Sequence, residues 1–167
     1  MRRVVIVGRA GAGKSFVARE LAARTGLPVI HLDTIFWAAA WKPVPVAEAV
    51  GELERRLVDE RWIADGNFLD AGDSRFRRAD TVVLLDVPRG TCVWRVVARR
   101  IRDRGGRRSD LPAGAYEGFD WALLRWIWKW DRTERPKLLR LLNANPHVDF
   151  VVVTDSAAAV DTIAGDA

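Results

Sequence analysis

Much that would assign a function class is missing from this chain. Cys92 is the only cysteine among 167 residues, which excludes an internal disulfide and a cysteine-built zinc centre and fits a reducing cytoplasm. No apolar stretch approaches the ~20 residues that a membrane-spanning helix needs. The basic start Met1-Arg2-Arg3 leads into an apolar run that ends at Gly8 inside a working motif, so it does not read as a signal peptide. Internal repeats and low-complexity linkers are absent. So are helix-turn-helix and zinc-finger spacings, the usual marks of a sequence-reading DNA-binding module. Lysine is scarce as well: of 27 basic residues only Lys14, Lys42, Lys129 and Lys137 are lysine, which leaves 23 arginines and a formal net charge of +5.

What is present begins with those arginines. Eight fall between Arg89 and Arg108, against the single acid Asp103. The guanidinium fork suits phosphate oxygens, whether of a nucleotide or of a nucleic acid. With 49% apolar and 29% charged residues, the composition is that of a globular chain, and the length fits one domain over residues 1–167.

The run Val4-Val5-Ile6-Val7 feeds directly into Gly8-Arg9-Ala10-Gly11-Ala12-Gly13-Lys14-Ser15, a complete phosphate-binding loop. A buried strand delivers the chain to a turn whose backbone N–H groups are not crowded by side chains, and the turn opens a helix whose positive end faces the phosphates. Gly8, Ala10, Gly11, Ala12, Gly13, Lys14, Ser15 and Phe16 are the expected nucleotide-binding residues. Lys14 is expected to reach the β- and γ-phosphates and Ser15 to hold Mg²⁺. The expected cofactors are therefore ATP and Mg²⁺, although the loop reads phosphates and does not distinguish ATP from GTP. A Walker B acid pair after four apolar residues is lacking, which counts against a motor-type ATPase.

Five apolar runs, at 4–7, 29–32, 62–64, 81–85 and 150–153, alternate with helix-like stretches. This predicts a three-layer α/β fold around a mainly parallel sheet. Helices are expected over 46–57, 121–130, 136–142 and from about 157, and Gly105-Gly106 punctuates the arginine-rich stretch. In such a sheet ligands lie beyond the carboxyl ends of the strands, where Asp33, Asp65 and Asp86 fall. Asp33 is a candidate for orienting or deprotonating an acceptor hydroxyl. Asp65 is a candidate outer-shell Mg²⁺ ligand, and Asp86 serves equally well as a turn organiser. Arg95 and Arg99 share a helix face and begin a stretch that reads as an arginine lid over about 100–120, closing on the transferring phosphates. His31 reads as a satisfied histidine ahead of a base. Trp62, Trp126 and Trp128 are expected in the core or beneath the lid. Trp37 and Trp41, just after Asp33, suit a wall for a planar or apolar acceptor and core packing equally.

These segments carry a likeness. Ala79 to Pro88 with Arg95, Arg99 and Arg100, and the Asp65-Gly66 pair, resemble the adenylate kinases. The segments at 27–33, Trp37 and Trp41, 62–67, 85–89, 125–128 and 135–137 resemble the DNA topology modulation (FlaR-like) proteins, and this likeness covers roughly residues 3–155. The resemblance implies an adenylate-kinase-like P-loop NTPase fold with a five-stranded parallel sheet in the order 2-3-1-4-5 and a small arginine-rich lid. It also implies that Arg95 lies near the adenine and Arg99 near the phosphates, that the loop around Thr154 approaches the base, and that Arg132 and Arg135 return to the phosphates. Asn67, Trp37, Trp41 and Asp33 would then meet the acceptor. The adenylate-kinase pattern Asp-Gly-Phe-Pro-Arg is not kept: Asn67-Phe68-Leu69 follows Gly66 and the next arginine is Arg75, which counts against AMP as the acceptor. The expectation is a cytoplasmic kinase with a nucleotide and a small-molecule acceptor as partners and no membrane. The alternatives are an ATP-dependent regulator acting on DNA topology, and an ATP-binding protein without phosphotransfer.

Overall fold

The computed structural model describes residues 1–39, 42–102 and 121–165. Five strands, β1 (Arg3–Gly8), β2 (Val29–His31), β5 (Trp62–Asp65), β6 (Thr81–Leu85) and β7 (Asp149–Val153), form one parallel sheet in the order β2-β5-β1-β6-β7. Counted along the chain, that is the expected order 2-3-1-4-5. A second, two-stranded sheet pairs β3 (Trp37–Ala38) with β4 (Lys42–Pro43) in antiparallel fashion.

β1 lies at the centre because its four branched residues have no exposed neighbour to face. Val4, Val5, Ile6 and Val7 are all fully buried, and a strand buried on both faces reads as a continuous apolar run. The alternation of a strand divides them between two cores. Val4 and Ile6 meet α1 (Lys14–Thr25), α5 (Arg89–Arg102) and α8 (Ala159–Gly165) through Leu21, Val96 and Val160. Val5 and Val7 meet the opposite layer, where α3 (Val46–Arg56), α4 (Ser74–Arg78), α6 (Trp121–Thr133) and α7 (Arg135–Ala144) contribute Leu53, Phe76, Trp130 and Leu138. Each fully buried Leu, Ile or Val contributes about 1.5–3 kcal/mol, so both faces of the strand stabilise its position. The chain start is held beside β6 by Asp80, which accepts from the backbone N–H groups of Arg2 and Arg3 at 2.8 Å each.

Two local features differ from the sequence expectation. The stretch after β2 folds into a one-turn helix α2 (Asp33–Phe36) followed by the small hairpin, elements too short to leave a periodic signature. Trp128 is 56% exposed and its ring lies under the Arg89 guanidinium at 4.3 Å, while Trp130 fills the core instead. The helix stripe that faces inward is set by Ile127 and Trp130, three residues apart, and Trp128 lies off it. Of the expected lid, only the part up to Arg102 is described, as the end of α5; the remainder and Trp41 lie outside the described residues. Among those residues no helix is long and apolar enough to cross a membrane.

Candidate active site

The phosphate loop runs from the end of β1 to the start of α1. Gly11 shows why side chains are excluded there: its φ is +81°, and a Cβ would sit 2.4 Å from the Cys92 carbonyl oxygen at the start of α5. The loop is thus pressed against the helix that carries Arg95 and Arg99. Lys14 bends back to donate from Nζ to the Gly8 and Arg9 carbonyl oxygens, at 3.0 and 3.2 Å. Burial pushes its ammonium below the ordinary lysine range, and the charges of Asp33 and Asp65 oppose that shift.

Asn67 fastens the loop from the other side. Its Oδ1 accepts from the Gly8 N–H at 3.1 Å, and its Nδ2 donates to the Gly8 carbonyl at 2.9 Å. The Asn67 carbonyl in turn accepts from Arg75 Nη2. Arg75 is only 1% exposed, burial lowers its pKa to about 9, and its Nε and Nη1 have no hydrogen-bond partner. One step earlier Gly66 has φ +135°, with Leu32 Cβ only 2.7 Å from where a Cβ would stand. Asp65 ends β5, buried to 4% exposure. Its Oδ1 pairs with His31 Nδ1 at 2.6 Å, so His31 orients this carboxylate, in keeping with a satisfied histidine.

Arg9, a variable position of the loop motif, turns away from the ligand side. Nη1 donates to Asp86 Oδ1 at 2.9 Å and to the Val87 carbonyl at 3.2 Å, Nη2 donates to Asp131, and the guanidinium lies over Trp130. Burial alone would lower its pKa, but the bonds to Asp86 and Asp131 overcome that and raise it. Asp86 also accepts from Arg135 at 2.9 Å. Its carboxylate thus neutralises two arginines.

A cleft of about 1380 Å³ opens over these groups. It brings together Ala10, Gly11, Gly13, Lys14, Ser15 and Phe16 of the loop, the strand-end acids Asp33 and Asp65, the α5 arginines Arg95 and Arg99, and Trp37 and Asn67. Gly8 and Ala12 belong to the loop's buried underside. Thr154 does not line the cleft; its neighbour Ser156 approaches Gly13 and accepts from Arg95 Nη1 at 3.2 Å. Arg132 and Arg135 are not brought to the cleft, and Arg135 is held by Asp86 instead. Sequence reasoning missed Phe36 and Phe68, whose stacked rings (centroids 4.1 Å apart, 16° between planes) join α2 to the loop after β5. It also missed Arg19, Trp94, Asp70 and Glu134 in the cleft wall. Arg19 lies four residues after Ser15 in α1, a spacing that could have signalled it; the others meet only through tertiary packing.

Residues 1–87, just over half of the chain, match the family model described as isopentenyl transferase. By that match the chain belongs to the isopentenyl transferase family, and its relatives set it among P-loop kinase-like proteins. Its relatives in this P-loop kinase-like group include a shikimate kinase of Bradyrhizobium diazoefficiens, 35% identical over 122 residues that cover 66% of this chain and 56% of that protein. An adenylate kinase of Thermotoga neapolitana is 29% identical over 142 residues, 66% of this chain and 64% of that one. The chain thus spans between about half and two thirds of the length of the relatives it matches. The solved structure of a deoxyadenosine kinase from M. mycoides with bound dATP superposes over 98% of this chain and 97% of its own, with a TM-score of 0.56 at 16% identity. That likeness is one of fold. The matches are described as kinases and a transferase, and they lend no support to the DNA-topology resemblance.

Proposed function

We propose that the chain is an ATP- and Mg²⁺-dependent small-molecule kinase of the nucleoside-monophosphate-kinase type, built as one domain with an arginine lid leading on from α5. The observation that carries this reading is the convergence of Lys14, Ser15, Asp33, Asp65, Arg95 and Arg99 on a single cleft. Phosphoryl transfer needs positioning and positive charge more than covalent participation by the protein, and these groups supply both. Lys14, Arg95 and Arg99 would neutralise the triphosphate. Asp33 would accept the proton of the acceptor hydroxyl as its oxygen bonds to the γ-phosphorus and the bond to the β–γ bridging oxygen breaks, releasing ADP. Ser156 and Arg95, beside Gly13, would border the nucleotide base.

The residues present fit Mg²⁺. Among the described residues no group of three or more acidic, histidine or cysteine side chains could cage a metal. Mg²⁺ is usually held through one or two protein ligands, substrate phosphates and water. Ser15 offers a hydroxyl, and Asp65, with Oδ1 engaged by His31, would offer its other oxygen to a metal-bound water. The bound ion would draw charge from the transferring phosphoryl group.

The direct test is ADP release across nucleosides, nucleotides and small hydroxyl compounds. Turnover that exceeds a Lys14→Ala control with at least one acceptor is expected, and none above that control overturns the reading. The isopentenyl transferase model favours a second reading, in which the same loop holds the diphosphate of an isoprenoid donor. Pyrophosphate release in place of ADP would reveal it. The regulatory alternative finds less support, because Arg95, Arg99, Arg100 and Arg102 line the same cleft as the phosphate loop and the relatives are described as kinases.

A further inference from the structure

The stretch that leaves β5 is held in an unusual shape. Gly66 has φ +135°, and Phe68 has φ +38°, the only positive φ at a non-glycine among the described residues. A bulky side chain enters that region at a cost in backbone energy, so the surrounding structure must hold it there. The two side chains concerned reach different parts of the site. Asn67 bonds to Gly8 through both of its side-chain polar atoms. The Phe68 ring stacks on Phe36 in α2, the helix that begins with Asp33.

Arg75, from α4, grips this stretch from behind. Its Nη2 donates to the Asn67 carbonyl, and its guanidinium lies over the Phe76 ring at 4.9 Å. Nε and Nη1 have no hydrogen-bond partner, and among the described residues no acid offsets the burial of the charge. An unpaired buried cation with two idle donors costs stability, so packing alone does not account for an arginine here. The one bond that it makes is well placed. The peptide group is planar, so the Asn67 carbonyl turns only as ψ of Asn67 and φ of Phe68 change. A grip on that carbonyl therefore fixes both angles, and with them the directions in which the Asn67 and Phe68 side chains set out.

We propose that Arg75 is a positioning residue of the site. By holding the peptide group between Asn67 and Phe68 it keeps Asn67 on Gly8 and Phe68 on Phe36, and so keeps the phosphate loop in register with the helix that carries Asp33. It acts through these two residues and touches no ligand itself. The role of that register in catalysis rests on the kinase reading; the grip on Gly8 does not.

The test uses the full chain with Arg75→Met, which has no donor, and Arg75→Lys, which keeps one. The first measurement needs no ligand: amide hydrogen exchange, read by NMR. In Arg75→Met the Gly8 amide is expected to exchange about tenfold faster, while Val5 and Ile6, paired on both sides within the sheet, are unchanged. The second is calorimetric affinity for a non-hydrolysable ATP analogue with Mg²⁺. Arg75→Met should weaken it about fivefold, the loss of one hydrogen bond's worth of positioning. In an Asn67→Ala background the same substitution should change it less than about twofold, because the hold acts through Asn67. Arg75→Lys should bring both readouts to within about twofold of the native chain. Unmoved Gly8 exchange, exchange raised equally at Val5 and Ile6, equal losses of affinity in both backgrounds, or a Lys variant as impaired as Met overturns the proposal. Failure of both variants to fold overturns it too, by assigning Arg75 to the fold alone. A native chain that binds no analogue, with Gly8 exchange raised as expected in Arg75→Met, refutes the kinase reading and supports the positioning. Analogue binding with Gly8 exchange unmoved does the reverse.

Discussion

The two sides of the cleft are built in opposite ways. The phosphate side is nearly all local: the loop, Lys14 and Ser15 come from one stretch of eight residues, and Gly11 presses that stretch on α5, where Arg95 and Arg99 stand one turn apart. The opposite side, where the proposed acceptor would lie, is assembled from α2, the residues after β5 and the junction of α6 with α7. Its parts touch through the Phe36–Phe68 stack and through Lys137. A site made of consecutive residues is specified by spacing and varies little. A site made of distant loops is specified by packing, and its ligand can change without disturbing the chemistry next door.

Substitutions can separate the two sides. The largest expected effect is on the phosphate side, where Lys14→Ala should lower ADP release by about 10²–10³-fold, the cost of removing a preorganised charge donor. Asp33→Asn should lower kcat by about 10²-fold, as loss of a positioned base does. Affinity for an ATP analogue, measured by calorimetry, should be unchanged in that variant. A parallel loss of analogue binding would show that the two sides are not separable. Gly66→Ala forces a Cβ into Leu32 at a φ that L residues rarely adopt. It should cost about 1–3 kcal/mol in denaturant unfolding and raise the acceptor KM more than the ATP KM.

Asn67→Ala sharpens the comparison, because this side chain belongs to the acceptor loop but bonds to Gly8. Loss of two partly buried hydrogen bonds should cost about 1–3 kcal/mol. The KM for ATP should rise several-fold although no phosphate contact is removed, as steady-state kinetics will report.

The smallest effect is a pH displacement. Burial lowers the folded-state pKa of Lys14 below its ordinary value. Protonated Lys14 is the form that holds phosphate, so kcat/KM should fall on the alkaline side at a pH below that of an exposed lysine. Stability of the unliganded chain should move the other way. The unfolded state holds the proton more tightly in that window, so unfolding free energy rises with pH there. In Lys14→Arg both the kinetic limb and the stability slope should shift to higher pH.

The division between the two sides is also the division in legibility. The strands, the phosphate loop, Asp33, Asp65 and the α5 arginines stand in the sequence because each follows from a local pattern, a period or a strand end, whereas strand order follows only from the resemblance to the adenylate kinases. Asn67 was visible as a departure after Gly66, though its grip on Gly8 was not. Phe36 against Phe68, and Lys137 against Asp70, have no local signature. Their partners lie up to tens of residues apart, and only packing brings them together. Trp128 and Trp130 are two residues apart on one helix, and which of them faces inward depends on the register of α6 against Arg9 and the sheet.

Arg9 has a consequence for how such a motif tolerates change. In the pattern that defines phosphate loops its position is a wild card, open to any side chain. In this chain it is the joint between the loop and α6, holding Asp86 and Asp131 and lying over Trp130. A randomised loop library would therefore not recover all wild-card positions alike. Small residues at Ala10 would survive, whereas almost any replacement of Arg9 would leave Asp86 and Asp131 to Arg135 alone and uncover an indole. A position that pattern matching leaves blank is here tied to two acids and an indole.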